Sequence, residues 1–315
     1  MLAPPAKILT RWQISRVAMP RRVRAVIDFV LDLREAVAAN AAAWVRVYLR
    51  HCPGVTMAPK KIVFIHGMYM TPACWEPWTN RFGAKGYDCL APAWPGRDRP
   101  VAVLRRSASD PKLAALTLTA VLEHLSGAIR ALDQKPILIG HSMGGLITQL
   151  LLQRELAAAA VAIDSAPPQG VFTIKWSFIK ANWGHINPFA SKDLPATMTF
   201  EQFRYAFVNA LPLTEQRAAF EAFVVPESRR VPAESLTSTA RIDFRKPGAP
   251  LLMIAGSQDH IIPPSLNRSN FAKYRRPESI TEFKEFPGRT HFIIGQSGWE
   301  EVADHVSSWL DRVLR

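Results

Sequence analysis

The sequence predicts an α/β protein: a mostly parallel central sheet flanked by helices, with one helical cap insertion. Three observations carry this expectation. Short runs rich in β-branched and aromatic residues alternate with helical segments from residue 61 onward. The central runs are apolar throughout, as in strands covered on both faces. Residues 167–248 break the alternation with an aromatic-rich stretch that holds no clear buried strand. The composition agrees: 315 residues, 48% hydrophobic and 21% charged, is long enough for a large core and too apolar for a disordered chain.

Taken in order, Lys61-Ile-Val-Phe-Ile65 is the first strand and runs into His66-Gly67. A helix is expected over about 73–82, and a strand over 87–91 that Pro92 closes. Residues 111–132 have the apolar spacing of one long amphipathic helix. A buried strand over 136–139, a helix over about 143–156 and a strand over 160–163 follow. Pro167-Pro168 and Pro247 bracket the insertion, whose aromatics include Trp176, Phe178, Trp183, Phe203 and Phe207. Strands over 251–254 and 280–286 and a final helix over about 299–314 complete the domain.

The first 56 residues stand apart. They hold eight Arg and one Lys against three acids, so they carry nearly half of the chain's net charge of +13. Val23, Val26, Ile27, Val30, Leu33, Val37, Trp44 and Tyr48 recur at helical spacing. The segment reads as a helix packed on the domain, as a surface helix contacting a membrane or partner through residues 20–50, or as a basic leader. A further reading starts the domain at Met57 and takes residues 57–315 as the folded unit. No run of 18 apolar residues predicts a transmembrane helix. Three cysteines, Cys52, Cys74 and Cys89, make no disulfide framework, so a reducing, cytoplasmic setting is expected. No CxxC or Cys/His cluster points to a metal. The basic balance raises nucleic acid as a partner, but no nucleic-acid motif accompanies it, and none is expected.

The chemistry gathers at predicted strand ends. Gly140-His141-Ser142-Met143-Gly144-Gly145 fits G-x-S-x-G and lies between a strand and a helix, the context that places a serine hydroxyl at the apex of a sharp turn. A serine hydroxyl needs a base to become a nucleophile, and the base needs an acid to orient it. Downstream, Asp259 follows the strand 251–254 and His291 follows the strand 280–286, on the same sheet edge as Ser142. His260 competes as base, though adjacency to Asp259 makes bridging the pair awkward. Asp164, after the strand 160–163, competes as acid. The backbone N–H groups of Met143 and Met68 are the candidate oxyanion donors. His66 and His141 read as supporting residues, His124 and His305 as surface or structural groups on helices, and His185 as an insertion residue.

These motifs together resemble the α/β-hydrolase superfamily over about residues 59–314: Phe64-Ile-His-Gly67, Ala91-Pro-Ala-Trp94-Pro-Gly96, the serine motif, Gly256-Ser-Gln-Asp259-His260 and Gly288-Arg-Thr-His291-Phe292. The resemblance implies a mostly parallel, eight-stranded type of sheet, with 167–248 as the cap. It implies hydrolysis of a carboxylic ester through an acyl-enzyme on Ser142, with His291 as base, Asp259 as its orienting acid and no cofactor. Tyr69, Trp94 and Trp176 are expected to contact an apolar or aromatic substrate, and Glu227, Arg229 and Arg230 to form a solvated charge group. The fold also serves lactonases, thioesterases, amidases, C–C hydrolases, hydroxynitrile lyases, cofactor-free haloperoxidase-like enzymes and noncatalytic small-molecule receptors.

Overall fold

A computed structural model describes residues 61–186 and 191–314. The amphipathic segment 23–48, the surface contact proposed for 20–50, His51, Cys52 and the alternative start at Met57 lie outside the described residues, as does the side chain of His185.

The sheet has six strands in the order β2-β1-β3-β4-β5-β6. They are β1 (Lys61–Ile65), β2 (Asp88–Leu90), β3 (Ile137–His141), β4 (Ala159–Ile163), β5 (Leu251–Gly256) and β6 (Thr281–Phe286). Every neighbouring pair is parallel. The described residues therefore hold six strands where the family likeness implied an eight-stranded type. β3, β4 and β5 are buried at every position, and β1 at all but Lys61. The edge strands β2 and β6 are partly exposed and carry the polar residues. Burial on both faces explains why the central strands are continuously apolar while the edges are mixed.

Helices α1 (Glu76–Ala84), α2 (Leu118–Arg130), α3 (Met143–Gln153), α8 (Pro264–Phe271) and α9 (Trp299–Val313) accompany the sheet. Between β4 and β5 lie α4 (Trp176–Ile186), α5 (Phe200–Ala206), α6 (Leu213–Phe223) and α7 (Arg230–Glu234). The helix read over 111–132 is broken. One turn, Pro111–Ala114, stops short, and Thr117 restarts the helix by accepting the Ala120 N–H at 3.1 Å. The helix read over 73–82 likewise opens as a 3₁₀ turn, Pro72–Trp75, before α1. α8, built from Pro-Ser-Leu-Asn-Arg-Ser-Asn-Phe, was not expected, because its polar sequence has no apolar stripe to announce it.

A tryptophan cluster joins the first strand to the C-terminal helix. Trp78 is fully buried, donates its indole N–H to the Ile294 carbonyl at 2.8 Å, and packs against Phe64, Trp75, Phe82 and Trp299. This fixes the loop after β6 relative to β1. Strand order reverses between β1 and β3, and the crevice at such a reversal opens beyond the carboxyl ends of the strands. The turn holding Ser142 and the loop His66–Tyr69 both emerge there.

Candidate active site

Ser142 joins β3 directly to α3 with φ 58° and ψ −121°, a left-handed conformation that a non-glycine residue holds only under external restraint. The restraint is visible. The Ser142 N–H donates to the Ile163 carbonyl at 2.9 Å, and its carbonyl accepts from Ala166 N–H at 2.9 Å. Two glycines permit the turn. A Cβ at Gly140 would overlap the Gly144 carbonyl, and one at Gly144 would overlap the Ile65 carbonyl. The loop after β1 presses against the serine: a Cβ at Gly67 would stand 2.8 Å from Ser142 Cβ and 3.4 Å from its Oγ.

The side chains of Ser142, His291 and Asp259 form one hydrogen-bonded line. His291 Nε2 lies 2.9 Å from Ser142 Oγ, and His291 Nδ1 lies 2.6 Å from Asp259 Oδ2. Asp259 Oδ1 accepts the N–H groups of Ile261 and Ile262 at 2.7 and 2.8 Å. All three residues are buried, leaving His291 and Asp259 almost without solvent. Burial pushes the His291 imidazole down to about 3. The Asp259 carboxylate at 2.6 Å acts in the opposite sense, favouring the imidazolium.

Asp164 stands beside this line. Its Oδ1 accepts the Gly256 N–H at 2.7 Å, and its carboxyl is raised well above the ordinary range by burial first and by the Asp259 charge second. Burial raises Asp259 too, but the amides of Ile262 and Ile261 oppose the rise. A proton shared by this pair therefore belongs on Asp164, and Asp259 is the charged member that faces His291. His141, Asp164 and His291 bring possible ligand atoms within 4.8 Å of one another. Both His291 nitrogens are already engaged, His141 Nε2 donates to the His291 carbonyl at 2.7 Å, and a protonated carboxyl is a poor ligand.

The other candidates fall into place around it. His141 packs against His291, with ring centroids 4.7 Å apart, and Phe207 of the cap meets His291 edge-on at 4.9 Å. His66 stacks on Trp94 at 4.7 Å, and its Nε2 accepts the Trp94 backbone N–H at 3.4 Å. His260 faces away from Ser142: its Nδ1 bonds the Tyr205 carbonyl at 2.9 Å and its ring packs on Tyr205. His124 is exposed, and His305 is half-buried against Phe286.

Ser142 opens into a cavity of about 100 Å³. Met68, Tyr69, Met143, Phe178, Met198, Phe207, Ile261 and Ile262 line it, and Asn182 and Ser235 add polar groups but no charge. Of the three expected substrate contacts, only Tyr69 reaches this cavity. Trp94 is buried under the loop it supports, against His66. Trp176 is 72% exposed, because Phe178, Ala181 and Asn182 form the inward face of α4 and Trp176 lies on the opposite one. A wider cleft of about 720 Å³, lined by Lys180, Trp183, Tyr205, Asn209 and His260, contains none of Ser142, Asp259 and His291.

The expected solvated charge group at 227–230 is corrected at its first member. Glu227 is fully buried and pairs with the equally buried Arg97 at 2.6 Å. The sequence offered no signal, since the two sit in loops far apart along the chain. Arg230 does lie at the surface, paired with Asp193.

The model of the alpha/beta hydrolase family matches residues 62–305. No curated protein matches the chain. Among solved structures, the monoacylglycerol lipase of Paleococcus ferrophilus superposes with a TM-score of 0.57 at 19% identity, over 80% of this chain and 95% of that one. A pyrethroid hydrolase from Sphingobium faniae JZ-2 gives 0.59 at 18% identity, over 80% and 97%. Tomato methylketone synthase I in complex with 2-tridecanone gives 0.60 at 17% identity, over 81% and 99%. At such identities the structures share a fold, and the family match over most of the described domain decides the assignment: the chain belongs to the alpha/beta hydrolase family.

Proposed function

We propose that this protein is a serine hydrolase that cleaves a carboxylic ester with an apolar acyl or alcohol group. The observation that carries the reading is the unbroken line from Ser142 Oγ through His291 to Asp259, at 2.9 and 2.6 Å. Ser142 attacks the ester carbonyl while His291 Nε2 takes its proton. Asp259 accepts from Nδ1–H and so keeps Nε2 free as the base. The N–H groups of Met68 and Met143 receive the developing oxyanion. Both residues line the cavity, and Met143 opens α3, where unpaired amides and the helix dipole favour negative charge. Collapse of the tetrahedral intermediate expels the alcohol, which takes the proton from His291. Water, deprotonated by the same imidazole, then releases the acid from the acyl-enzyme.

The uncharged lining of the cavity supports a neutral, apolar substrate. The similar structures of a monoacylglycerol lipase and a polyneuridine aldehyde esterase agree with ester hydrolysis. Among the described residues no helix is long and apolar enough to cross a membrane.

The test is fluorophosphonate labelling with peptide mapping, together with turnover of short p-nitrophenyl esters. We expect the label on Ser142 and a loss of turnover of about 10⁴-fold or more in Ser142→Ala. A label elsewhere, or unchanged turnover in the variant, would sink the assignment.

A further inference from the structure

The loop that supplies the Met68 amide is under strain at the next residue. Tyr69 has φ 63°, a left-handed conformation that an aromatic side chain adopts only when its surroundings impose it. The segment after α6 imposes it at two points. Glu227 Oε2 accepts the Tyr69 N–H at 3.2 Å, and the Tyr69 carbonyl accepts the Val225 N–H at 3.0 Å. The other Glu227 oxygen accepts the Ser228 N–H at 2.8 Å and meets Arg97 Nη2 at 2.6 Å. Arg97 belongs to the loop after β2, where its N–H closes a turn onto the Trp94 carbonyl at 2.9 Å, and Trp94 in turn stacks on His66. The segment His66–Tyr69 is thus gripped at one end by the Trp94–Arg97 turn and at the other by Val225–Glu227. One ion pair joins the two grips.

That pair is costly. Both side chains are almost wholly excluded from solvent, and among the described residues Glu227 is the only carboxylate within ion-pair distance of Arg97. A buried ion pair is a poor way to gain stability, since its desolvation roughly cancels its attraction. It is an effective way to fix the geometry of the backbone it bonds.

We propose that Glu227, held by Arg97, is a positioning residue: it locks Tyr69 in its strained conformation and so aims the Met68 N–H at the oxyanion that forms on attack by Ser142. The inference rests on the serine-hydrolase reading above. It ties a cap residue to transition-state stabilisation without any contact to the reacting atoms. Glu227 should therefore matter more to the transition state than to the bound substrate.

Glu227→Asp keeps the charge pair but shortens the reach to Tyr69. The double variant Arg97→Met/Glu227→Gln removes both charges and leaves neither buried alone. Each is compared with the wild-type enzyme in p-nitrophenyl ester hydrolysis. Affinity is measured for a trifluoromethyl ketone, which adds Ser142 to form an oxyanion, and for its non-fluorinated counterpart, which binds without forming one appreciably. Thermal unfolding reports folding. We expect kcat to fall about 10- to 100-fold with KM within about twofold. Affinity for the trifluoromethyl ketone should fall by a similar factor, while that for the plain ketone holds. A folded variant with wild-type kcat, or one that loses affinity for both ketones equally, would overturn the positioning role. Should the double variant fail to fold, Glu227→Asp decides alone. If the wild-type enzyme neither turns over esters nor takes the fluorophosphonate on Ser142, the hydrolase reading itself has failed. Wild-type activity with insensitive variants removes only the role of Glu227.

Discussion

Two carboxyls lie within reach of the same imidazole, and their environments divide the work between them. Asp259 receives two backbone amides on one oxygen and His291 on the other, so its charge is supported on both sides. Asp164 receives one amide and faces its neighbour's charge, which favours its neutral form. Asparagine at either position separates the roles. In Asp259→Asn we expect kcat to fall about 10⁴-fold, because the imidazole loses the partner that sets its tautomer. In Asp164→Asn, which replaces a neutral carboxyl by a neutral amide, kcat should stay within about tenfold. Steady-state hydrolysis of a p-nitrophenyl ester measures both, and the reverse ranking would make Asp164 the orienting acid. The positions of Ser142, Asp259 and His291 were legible in the sequence because each lies in the turn or loop that closes a predicted strand, in a fixed chain order. Glu227 and Arg97 were not legible. A charge in a polar loop reads as solvated, and only the tertiary fold shows that these two meet in a dry interior.

At the scale of elements, the turn from β3 to α3 depends on the absence of side chains at two positions. Gly140→Ala places a methyl group against the Gly144 carbonyl and Thr148 Oγ1, neither of which is the free end of a flexible chain. We expect a loss of about 3 kcal/mol or more, or failure to fold, read by denaturant unfolding. A wild-type midpoint would mean that the turn relaxes without cost. The same scale shows where sequence reasoning works and where it stops. β3, β4 and β5 were readable because burial on both faces demands unbroken apolar residues. The break before α2 was missed because apolar spacing continues across it. A single hydroxyl, that of Thr117, decides in favour of a new helix. α8 escaped notice because two of its three buried residues, Asn267 and Asn270, are polar, so its inward face shows no apolar stripe.

Across the whole molecule, three buried histidines set a limit on acid tolerance. Burial pushes His66 and His291 down to about 3 and His141 well below its ordinary value. Below pH 6.5 the unfolded chain binds protons that these imidazoles refuse, so stability falls as pH falls from there toward 3. The Asp164–Asp259 pair works the other way: burial raises both carboxyls, and a carboxyl that keeps its proton in the fold offsets part of this loss. The net expectation is a loss of roughly a few kcal/mol between pH 6.5 and pH 5. Calorimetry should show a melting temperature clearly lower at pH 5 than at pH 7, and a flat profile would mean that the folded imidazoles accept protons. The +13 charge, by contrast, predicted no feature of the site, whose cavity lining is uncharged.

One edge of the sheet bears on how copies of this chain meet. Among the described residues β6 has a neighbour on one side only, and an open strand edge is a template on which another chain can add a strand. Here the edge bears Glu282, Lys284 and Glu285, with Arg312 of α9 bridging Glu282 and Arg268 of α8 bridging Glu285. An incoming strand would have to displace both arginines and align against alternating charge. The consequence is that this one edge is protected from recruitment into cross-strand aggregates.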